Sequence, residues 1–299
     1  NDKVPLIMMG YGRTDAVDGS VFPYAFPLVT TYQMQASAIV KFLAQKNGGS
    51  LSGKKIVFLY HDSAYGKEPL VALQAESKIN RFKLTEIPVA HPGNEQGAQW
   101  LKIREENPDY VIFWGWGVMN QTALKAAQKV GYPRDKIIGS WWAGSEEDVV
   151  PAGDAAKGYM SATWNVSGKN VPVIADIEKV VYGAGKGNFS DKNKIGTVLY
   201  NRGVSAAIVT VEATRLAQNK YGKGKPVIGL LGEYDALPGL SQKNVAHEEP
   251  FEAGKPGHGC GHNIYGTSAV GAAVAVKKAM EKSGLRGTIK FFGCPAEEN

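Results

Sequence analysis

Cysteine is scarce in this chain, and long apolar runs are missing. The 299 residues contain two cysteines, Cys260 and Cys294, both within the last forty positions. A disulfide between them is one possibility, but Cys260 stands among glycines and histidines and is more typical of a metal ligand. No apolar stretch approaches the ~20 residues that cross a bilayer, so we expect no membrane span.

The charge pattern lacks the basic run that nucleic-acid binding requires. The chain has 34 Lys and Arg against 28 Asp and Glu, a formal net charge of +6. This excess is scattered among the predicted helices, which excludes a basic nucleic-acid interface. An apolar content of 43% and a charged content of 21% are typical of a globular protein with ample core.

The middle of the chain alternates short apolar runs with helical patterns. Strand-like runs occupy residues 55–61, 84–89, 110–114 and 137–142, and helical patterns occupy residues 67–79, 95–106 and 120–130. This alternation predicts an α/β fold in which a parallel sheet carries helices on both faces. A strand-like run at 4–9 and helical runs at 32–46 and 196–219 predict parts of a second lobe.

The loops that follow these strands share one predicted rim, where open α/β sheets bind ligands. They are rich in aromatic, glycine and small polar residues, and they span residues 62–66, 91–94, 115–120 and 143–147. No glycine-rich phosphate loop and no nucleophile–base pair occurs there. The rim therefore predicts recognition of a small polar molecule with an amine or amide end. The alternative is that its tryptophans seal the core, above all Trp114 and Trp141.

Residues 1–222 resemble the later two thirds of periplasmic substrate-binding proteins for branched-chain amino acids or amides. The motifs that carry this resemblance are VPLIMMGYGRTD, YHDSAYGKEP, FWGWGVMNQTALK, GSWWAGSEEDV and GVSAAIVTVEATRLA. It implies a type I fold of two α/β lobes, with the second lobe at about 54–160 and the first incomplete. It also implies a periplasmic protein without a cofactor that closes around a small amino acid or amide and delivers it to an ABC permease.

The same resemblance implies two walls of a ligand cleft. The first-lobe wall comprises Gly10, Tyr11, Gly12, Arg13 and Thr14, and the second-lobe wall comprises Tyr65, Trp116, Ser145 and Glu146. Glu146 is the predicted partner of the ligand's ammonium group, and the alternative is a solvated loop acid. We expect weak binding because the family's hydroxyl-rich loop for the ligand carboxylate belongs to its missing first part.

The last seventy-five residues, 225–299, collect residues that suit metal-assisted hydrolysis. A strand at 226–231, a helix at 266–283 and a strand at 288–293 are predicted beside three polar motifs, GEYDALPG, GHGCGHN and GCPAEE. The Cys260-x-His262 pair offers ligands to zinc, and Glu298 could complete the site. Glu297 could take a proton from metal-bound water, and Asp235 could orient a ligand. Three of the five histidines, His247, His258 and His262, fall within sixteen residues; the alternative is a group of surface histidines.

Together these three motifs resemble the co-catalytic zinc aminoacylase and carboxypeptidase family, in its amidohydrolase branch with aminobenzoyl-glutamate hydrolase. The resemblance implies that Cys260, His262 and Glu298 bind zinc or manganese, that Glu297 is the general base, and that Asp235 supports them. It implies hydrolysis of an N-acyl or amide bond to an amino acid in the cytoplasm. No histidine follows His262, so we expect weak metal binding and no useful turnover from the chain as presented.

Three interpretations follow from two partial resemblances that meet near residues 220–226. The first is a solute-binding protein that carries a partial hydrolase domain at 225–299. The second is a zinc amidohydrolase, and the third is a composite or misjoined sequence without activity. The junction lacks the flexible linker that usually joins tandem domains. The longer resemblance favours the first interpretation.

Overall fold

The computed structural model describes residues 5–8, 10–186, 191–222, 227–245, 247–259, 261–284 and 286–295. The chain divides into two compact units. Ile7–Ala207 form one, which we call the binding region, and Ile208–Asn299 with the beginning of the chain form the other, the C-terminal region. The contact boundary falls within the helix Val198–Tyr221, and a domain boundary at residues 222–225 stays a prediction.

The binding region alternates strands and helices along most of its length. Its elements are β1 (Leu6–Met8), β2 (Ala25–Pro27), α1 (Tyr32–Lys46), β3 (Lys55–His61), α2 (Ala64–Lys67), α3 (Leu70–Asn80), β4 (Lys83–Val89), α4 (Gly97–Glu106), β5 (Tyr110–Trp114), α5 (Val118–Lys129), β6 (Ile137–Gly139), α6 (Glu146–Val149), β7 (Met160–Ser161) and α7 (Pro172–Ile177). Strands β1 and β2 pair with each other, and β3 to β7 form the main sheet.

The main sheet is parallel throughout, as the sequence predicts. Its strand order is β4-β3-β5-β6-β7, and the central pairing sets Ile56 beside Tyr110 and Tyr60 beside Trp114. Two predicted elements of this region differ most in their bounds. The predicted helix 67–79 begins at Leu70, after Pro69, and the predicted loop 62–66 contains most of the short helix α2. The predicted strand 137–142 ends at Gly139 because Ser140 turns the chain and accepts from the Ala143 N–H.

Helices cover both faces of this sheet, as predicted, and each face has its own core. The helix at 32–46, predicted as part of a second lobe, packs on this sheet instead, because its apolar side chains contact those of α3 and of the strands. On one face, side chains of α1 and α3 pack against the sheet, with Leu43, Phe58, Leu73 and Trp114 fully buried. On the other face, α4 and α5 pack against the sheet, with Leu59, Trp100, Ile103 and Phe113 fully buried. The five strands thus have the double coverage that buried parallel sheets require.

The C-terminal region has a smaller sheet. Beyond α8 (Val198–Tyr221), its elements are β8 (Val227–Glu233), α9 (His262–Ser283) and β9 (Thr288–Cys294). Strands β8 and β9 pair in parallel over their full length. Helix α9 starts four residues earlier than predicted, so His262 is its first residue. No helix within the described ranges has the length and hydropathy to cross a bilayer.

Candidate functional site

Six aromatic side chains meet where strands β3, β5 and β6 end, and we call them the aromatic cluster: Tyr11, Tyr32, Tyr65, Trp141, Trp142 and Trp164. The Tyr32 ring is central, 5.2 Å from Tyr65 and 5.4 Å from Trp141 between centroids. Tyr32 is placed by the start of α1, where the Thr31 hydroxyl accepts from the Met34 N–H at 3.2 Å. The two adjacent tryptophans lie in the turn that follows β6.

Hydrogen bonds fix the hydroxyl groups of this cluster. The Trp142 Nε1–H donates to Tyr32 Oη at 3.0 Å. The Tyr65 hydroxyl lies 2.9 Å from Ser140 Oγ and 3.3 Å from the Gly115 carbonyl oxygen. Burial raises the pKa of Tyr32 to about 12 and the pKa of Tyr65 well above its usual value. Both phenols are therefore neutral at physiological pH.

The Gly10–Thr14 segment, predicted as the first-lobe wall, lies against this cluster. The Gly12 carbonyl oxygen accepts from the Tyr32 N–H at 2.7 Å. A Cβ at Gly12 would lie 2.8 Å from Trp141 Cζ2 and 2.9 Å from the Tyr32 backbone nitrogen, so only glycine fits. The Thr14 N–H donates to Glu68 Oε1 at 2.5 Å, and Arg13 Nη1 lies 3.5 Å from Glu68 Oε2.

The guanidinium group of Arg202, on α8, stacks on two tryptophans of the cluster. Its Cζ lies 4.6 Å from the ring centre of Trp142 and 5.1 Å from that of Trp164. Nη2 donates to the Trp141 carbonyl oxygen at 3.1 Å, and Nε donates to Asn165 Oδ1 at 3.4 Å. The residue is 3% exposed, and this burial lowers the pKa of Arg202.

The sequence prediction missed Arg202, Trp164 and Glu68, which the structure brings to the site. Arg202 is the one charged residue between Lys194 and Glu212. A lone charge in an otherwise apolar helix was the available signal. Glu68 lies two residues after the predicted loop 62–66, and its side chain is 9% exposed. Nothing in the local sequence distinguishes Trp164 from a surface tryptophan.

The remaining predicted ligand residues of the second wall have other contacts. Ser145 Oγ donates to Asp148 Oδ2 at 2.7 Å at the start of α6, and burial raises the pKa of Asp148. Glu146 Oε2 accepts from the Val198 N–H at 2.8 Å and so caps α8. The Trp116 ring lies 6.0 Å from the ring of His61. Their roles in ligand binding stay predictions.

Two tryptophans near the rim, Trp114 and Trp141, pack in the core, as the alternative interpretation of the sequence predicted. Trp114 is fully buried and Trp141 is 3% exposed. Trp114 packs edge-on against Tyr32 at 6.0 Å and against Phe58 at 6.1 Å between ring centres. The cluster thus continues the core of one sheet face outward to Tyr11, which is 47% exposed.

In the C-terminal region, His262 and Asp235 form a buried pair. His262 Nδ1 lies 2.9 Å from Asp235 Oδ1, and its Nε2 lies 3.6 Å from Glu233 Oε2. His262 is 2% exposed and Asp235 is 6% exposed. A carboxylate on Nδ1 fixes the tautomer that leaves the Nε2 lone pair for a metal, which is the usual outer-shell arrangement of metal-binding histidines. The pair therefore fits the role predicted for both residues.

The other predicted metal-site residues give less information. Cys260, Glu297 and Glu298 lie outside the described residues. His258 is exposed, and the 71% exposed side chain of His247 pairs with Glu249 at 3.1 Å. Across the described part of the chain, no three His, Cys, Asp or Glu side chains are arranged to hold a metal ion.

Two known protein families match this chain, one over its first part and the other over its last part. The family model described as "Periplasmic binding protein" matches residues 1–237. The model of "Peptidase family M20/M25/M40" matches residues 229–299. Both resemblances predicted from the sequence are thereby confirmed, and so is the combination of a type I binding-protein fold with a partial M20 domain.

Three similar proteins illustrate the two parts. An ABC transporter permease structure from the Pseudomonas fluorescens group is 49% identical, with a TM-score of 0.71, and the match covers 74% of this chain and 54% of that one. A branched-chain amino acid ABC transporter from Thermus thermophilus with bound valine is 22% identical, with a TM-score of 0.62, and the match covers 73% of this chain and 55% of that one.

The third is a p-aminobenzoyl-glutamate hydrolase polypeptide of Escherichia coli K12. It is 58% identical over 79 residues, which make up 26% of this chain and 16% of the hydrolase polypeptide. The chain thus spans about half the length of the similar transporter structures and a small part of the hydrolase.

Proposed function

We propose, since the chain belongs to the periplasmic binding protein family, that its binding region takes up a small amino acid or amide for delivery to an ABC permease in the periplasm. The family membership supports the class of function. The aromatic cluster supports the place at which the ligand binds. The valine bound to the Thermus thermophilus relative is consistent with a ligand of this size.

The observation that carries the proposal is a set of polar atoms in and beside the aromatic cluster that lack partners. Eleven buried side-chain atoms have no hydrogen-bond partner within the described part of the protein, and they include four of this cluster and its border: Thr14 Oγ1, Trp141 Nε1, Trp164 Nε1 and Arg202 Nη1. Buried polar groups of native proteins are nearly always hydrogen-bonded. Apolar walls with a few convergent polar groups are the usual composition of a small-molecule site, and a ligand would supply the missing partners.

A carboxylate also borders the cluster. Glu68 Oε1 accepts from the Thr14 N–H, whereas Oε2 has no hydrogen bond and lies 3.5 Å from Arg13 Nη1. The site therefore combines a cationic group, Arg202, with an anionic group, Glu68. A zwitterionic amino acid would be complementary to both, and a small amide could use the neutral donors of the tyrosines.

Titration of the purified full chain with leucine, valine and propionamide tests the proposal, because Trp142 and Trp164 make tryptophan fluorescence sensitive to an occupied site. We expect saturable binding of at least one ligand. Trp142→Phe should weaken it about tenfold, or about 1.4 kcal/mol, because the variant loses the hydrogen bond to Tyr32 and part of the stacking on Arg202. The matched control is Trp100→Phe, a fully buried tryptophan in the core on the other sheet face.

In this titration, an absence of binding by the folded wild-type chain to every ligand would contradict the proposal. Equal weakening by Trp100→Phe and Trp142→Phe would place the ligand elsewhere.

A second candidate function rests on the buried His262–Asp235 pair. We also propose that residues 225–299 belong to a site for metal-dependent hydrolysis of amide bonds to amino acids, as the match to the hydrolase polypeptide suggests. His262 would hold zinc or manganese through Nε2, and Asp235 would orient the imidazole. The resemblance adds Cys260 and Glu298 as ligands and Glu297 as the general base. A bound metal would supply an activated water and polarise the scissile carbonyl.

Incubation of the chain with p-aminobenzoyl-glutamate, with and without added zinc or manganese, tests this second function. Metal-dependent release of glutamate that Glu297→Gln abolishes would support it. His247→Asn is the control, because that exposed histidine pairs with Glu249 and should not affect turnover. Turnover that is unchanged in Glu297→Gln would rule the proposed site out, and a complete absence of turnover with either metal would leave the binding function alone.

A further inference from the structure

The strongest unexplained feature of the binding region is the environment of the Arg202 guanidinium. Trp142 and Trp164 stack on it at 4.6 and 5.1 Å, so its remaining donors lie in the guanidinium plane. Two of them are occupied, by the Trp141 carbonyl oxygen and by Asn165 Oδ1. The third nitrogen, Nη1, is buried and has no acceptor among the described residues.

No described carboxylate forms an ion pair with Arg202. The acid that acts on it through space is Asp148, whose oxygens are already engaged. Asp148 Oδ1 accepts from Asn120 Nδ2 at 2.8 Å, and Oδ2 accepts from the Ser145 hydroxyl and N–H. A buried cation without a directly paired anion is unfavourable. Arg202 thus lacks a carboxylate partner among the described residues.

Two neighbouring groups without partners are donors as well. Trp141 Nε1–H and Trp164 Nε1–H lack acceptors. Trp164 Nε1 lies 3.4 Å from the position that a Cβ at Gly10 would take, so the ring of Trp164 lies beside the Gly10–Thr14 wall. Tyr11 packs on Trp142 at 5.5 Å between ring centres and is 47% exposed, so the cluster reaches the protein surface there.

From these contacts we infer that Arg202 is the carboxylate receptor of the binding region, with Trp142 and Trp164 as the aromatic faces that hold its guanidinium in place. The inference rests on the proposed ligand-binding function and decides between its two ligand classes. Three of the unpartnered groups, Arg202 Nη1, Trp141 Nε1 and Trp164 Nε1, are N–H donors and one of them is cationic, so these three match a carboxylate better than a neutral amide. The ligand is then a small carboxylic acid with an apolar body that packs against the aromatic cluster.

The test compares acids with their own amides on the full-length chain, by calorimetric titration. The probes are valine with valinamide, and 3-methylbutanoate with 3-methylbutanamide. The second pair lacks the ammonium group and isolates the carboxylate. We expect each acid to bind about 10- to 150-fold more tightly than its amide, since a hydrogen bond to a charged group contributes about 1.5–3 kcal/mol.

Variants of Arg202 then assign the preference to this side chain. Arg202→Gln should bring the acid and amide affinities within about threefold of each other, whereas Arg202→Lys, which keeps the charge but loses the planar stacking, should retain part of the preference. Arg215→Gln on the same helix is the control, because that exposed arginine pairs with Glu212 and should leave the preference unchanged. Circular dichroism would establish that each variant is folded.

The possible outcomes separate this inference from the function on which it rests. Equal binding of acid and amide by the wild-type chain would overturn the carboxylate inference and leave the binding function standing. An acid preference that persists in folded Arg202→Gln would also overturn it. Failure of all four probes and of the amino acid panel to bind would contradict both. Loss of the acid preference in Arg202→Gln alone would support the inference.

Discussion

The two regions of the molecule share a strand–helix–strand order but differ in how many of their apolar side chains are buried. In the binding region, five parallel strands carry helices on both faces, and two groups of buried side chains fill the space between them. In the C-terminal region, two parallel strands are joined through a single helix. Among the side chains described there, Leu237 is the one buried apolar residue, at 8% exposure.

Several large apolar residues of the C-terminal region are exposed. Helix α9 has Ile264 at 66% exposure and Val274 at 48%, and Phe291 on β9 is at 41%. A two-stranded sheet with one helix has too few layers to cover such residues, and three or more strands are usually needed for independent stability. The comparison teaches that apolar periodicity specifies an element, whereas burial depends on how many neighbouring elements the chain supplies.

Truncation of one aromatic side chain in each region should give the largest contrast. Phe58→Ala removes a fully buried ring from β3 and should cost about 3–5 kcal/mol, whereas Phe291→Ala should cost less than about 1 kcal/mol. All six tryptophans lie at residues 100–164, so urea unfolding followed by tryptophan fluorescence reports on the binding region. Phe58→Ala should lower its midpoint and Phe291→Ala should not. Similar shifts from both variants would mean that the two regions unfold together.

The fold of the binding region was predictable from sequence because its strands are short, apolar and buried on both faces. The predicted bounds of β3 and β5 are those of the structure, Lys55–His61 and Tyr110–Trp114. Errors occurred where one residue ended an element, as at Pro69 and Ser140. The strand–helix–strand order of the C-terminal region was also predicted. The exposure of the apolar side chains described there was not, because a periodic pattern carries no information on neighbours.

The candidate site was predictable only in part, because its contacts join distant parts of the chain. The resemblance indicated the Gly10–Thr14 wall and Tyr65, which the structure places at the aromatic cluster. The contact between Arg202 and the Trp141 carbonyl oxygen spans 61 positions, and the one between Trp142 and Tyr32 spans 110. No local pattern encodes such pairs. In the C-terminal region, by contrast, the His262–Asp235 pair was predicted because each residue belongs to a short, specific motif.

Each region also has one buried histidine, and their partners differ. His262 has a carboxylate partner, whereas His61, 3% exposed, has Ser63 and His91 at 2.9 and 3.1 Å. Burial, and then the neighbouring His91, lower the pKa of His61 to about 4, against a smaller opposing effect of Asp62. The folded state thus keeps His61 neutral, while the unfolded chain takes up a proton near pH 6.5. The free energy of unfolding is therefore not reduced by this histidine above about pH 6.5, and it decreases as the pH falls from there toward 4.

Urea unfolding at several pH values would measure this dependence. We expect the binding region to lose about 2–3 kcal/mol between pH 7 and pH 4 through this group, and His61→Asn to remove most of that loss. The His247 side chain is 71% exposed, so the free energy of unfolding of His247→Asn should depend on pH as it does in the wild type. If the free energy of unfolding of His61→Asn depends on pH as strongly as that of the wild type, another group controls the acid sensitivity of the region.

The smallest expected effect concerns Glu146, where the predicted and observed roles can be separated. Its Oε2 accepts from the Val198 N–H at 2.8 Å, so Glu146→Ala should cost about 0.5–2 kcal/mol through the loss of a helix cap. Glu146→Gln keeps an acceptor oxygen and should restore most of that stability in urea unfolding. The same variant removes the negative charge that the predicted contact with a ligand ammonium group requires. Valine affinity about tenfold weaker in folded Glu146→Gln would therefore support the ammonium role, whereas unchanged affinity would confine Glu146 to capping α8.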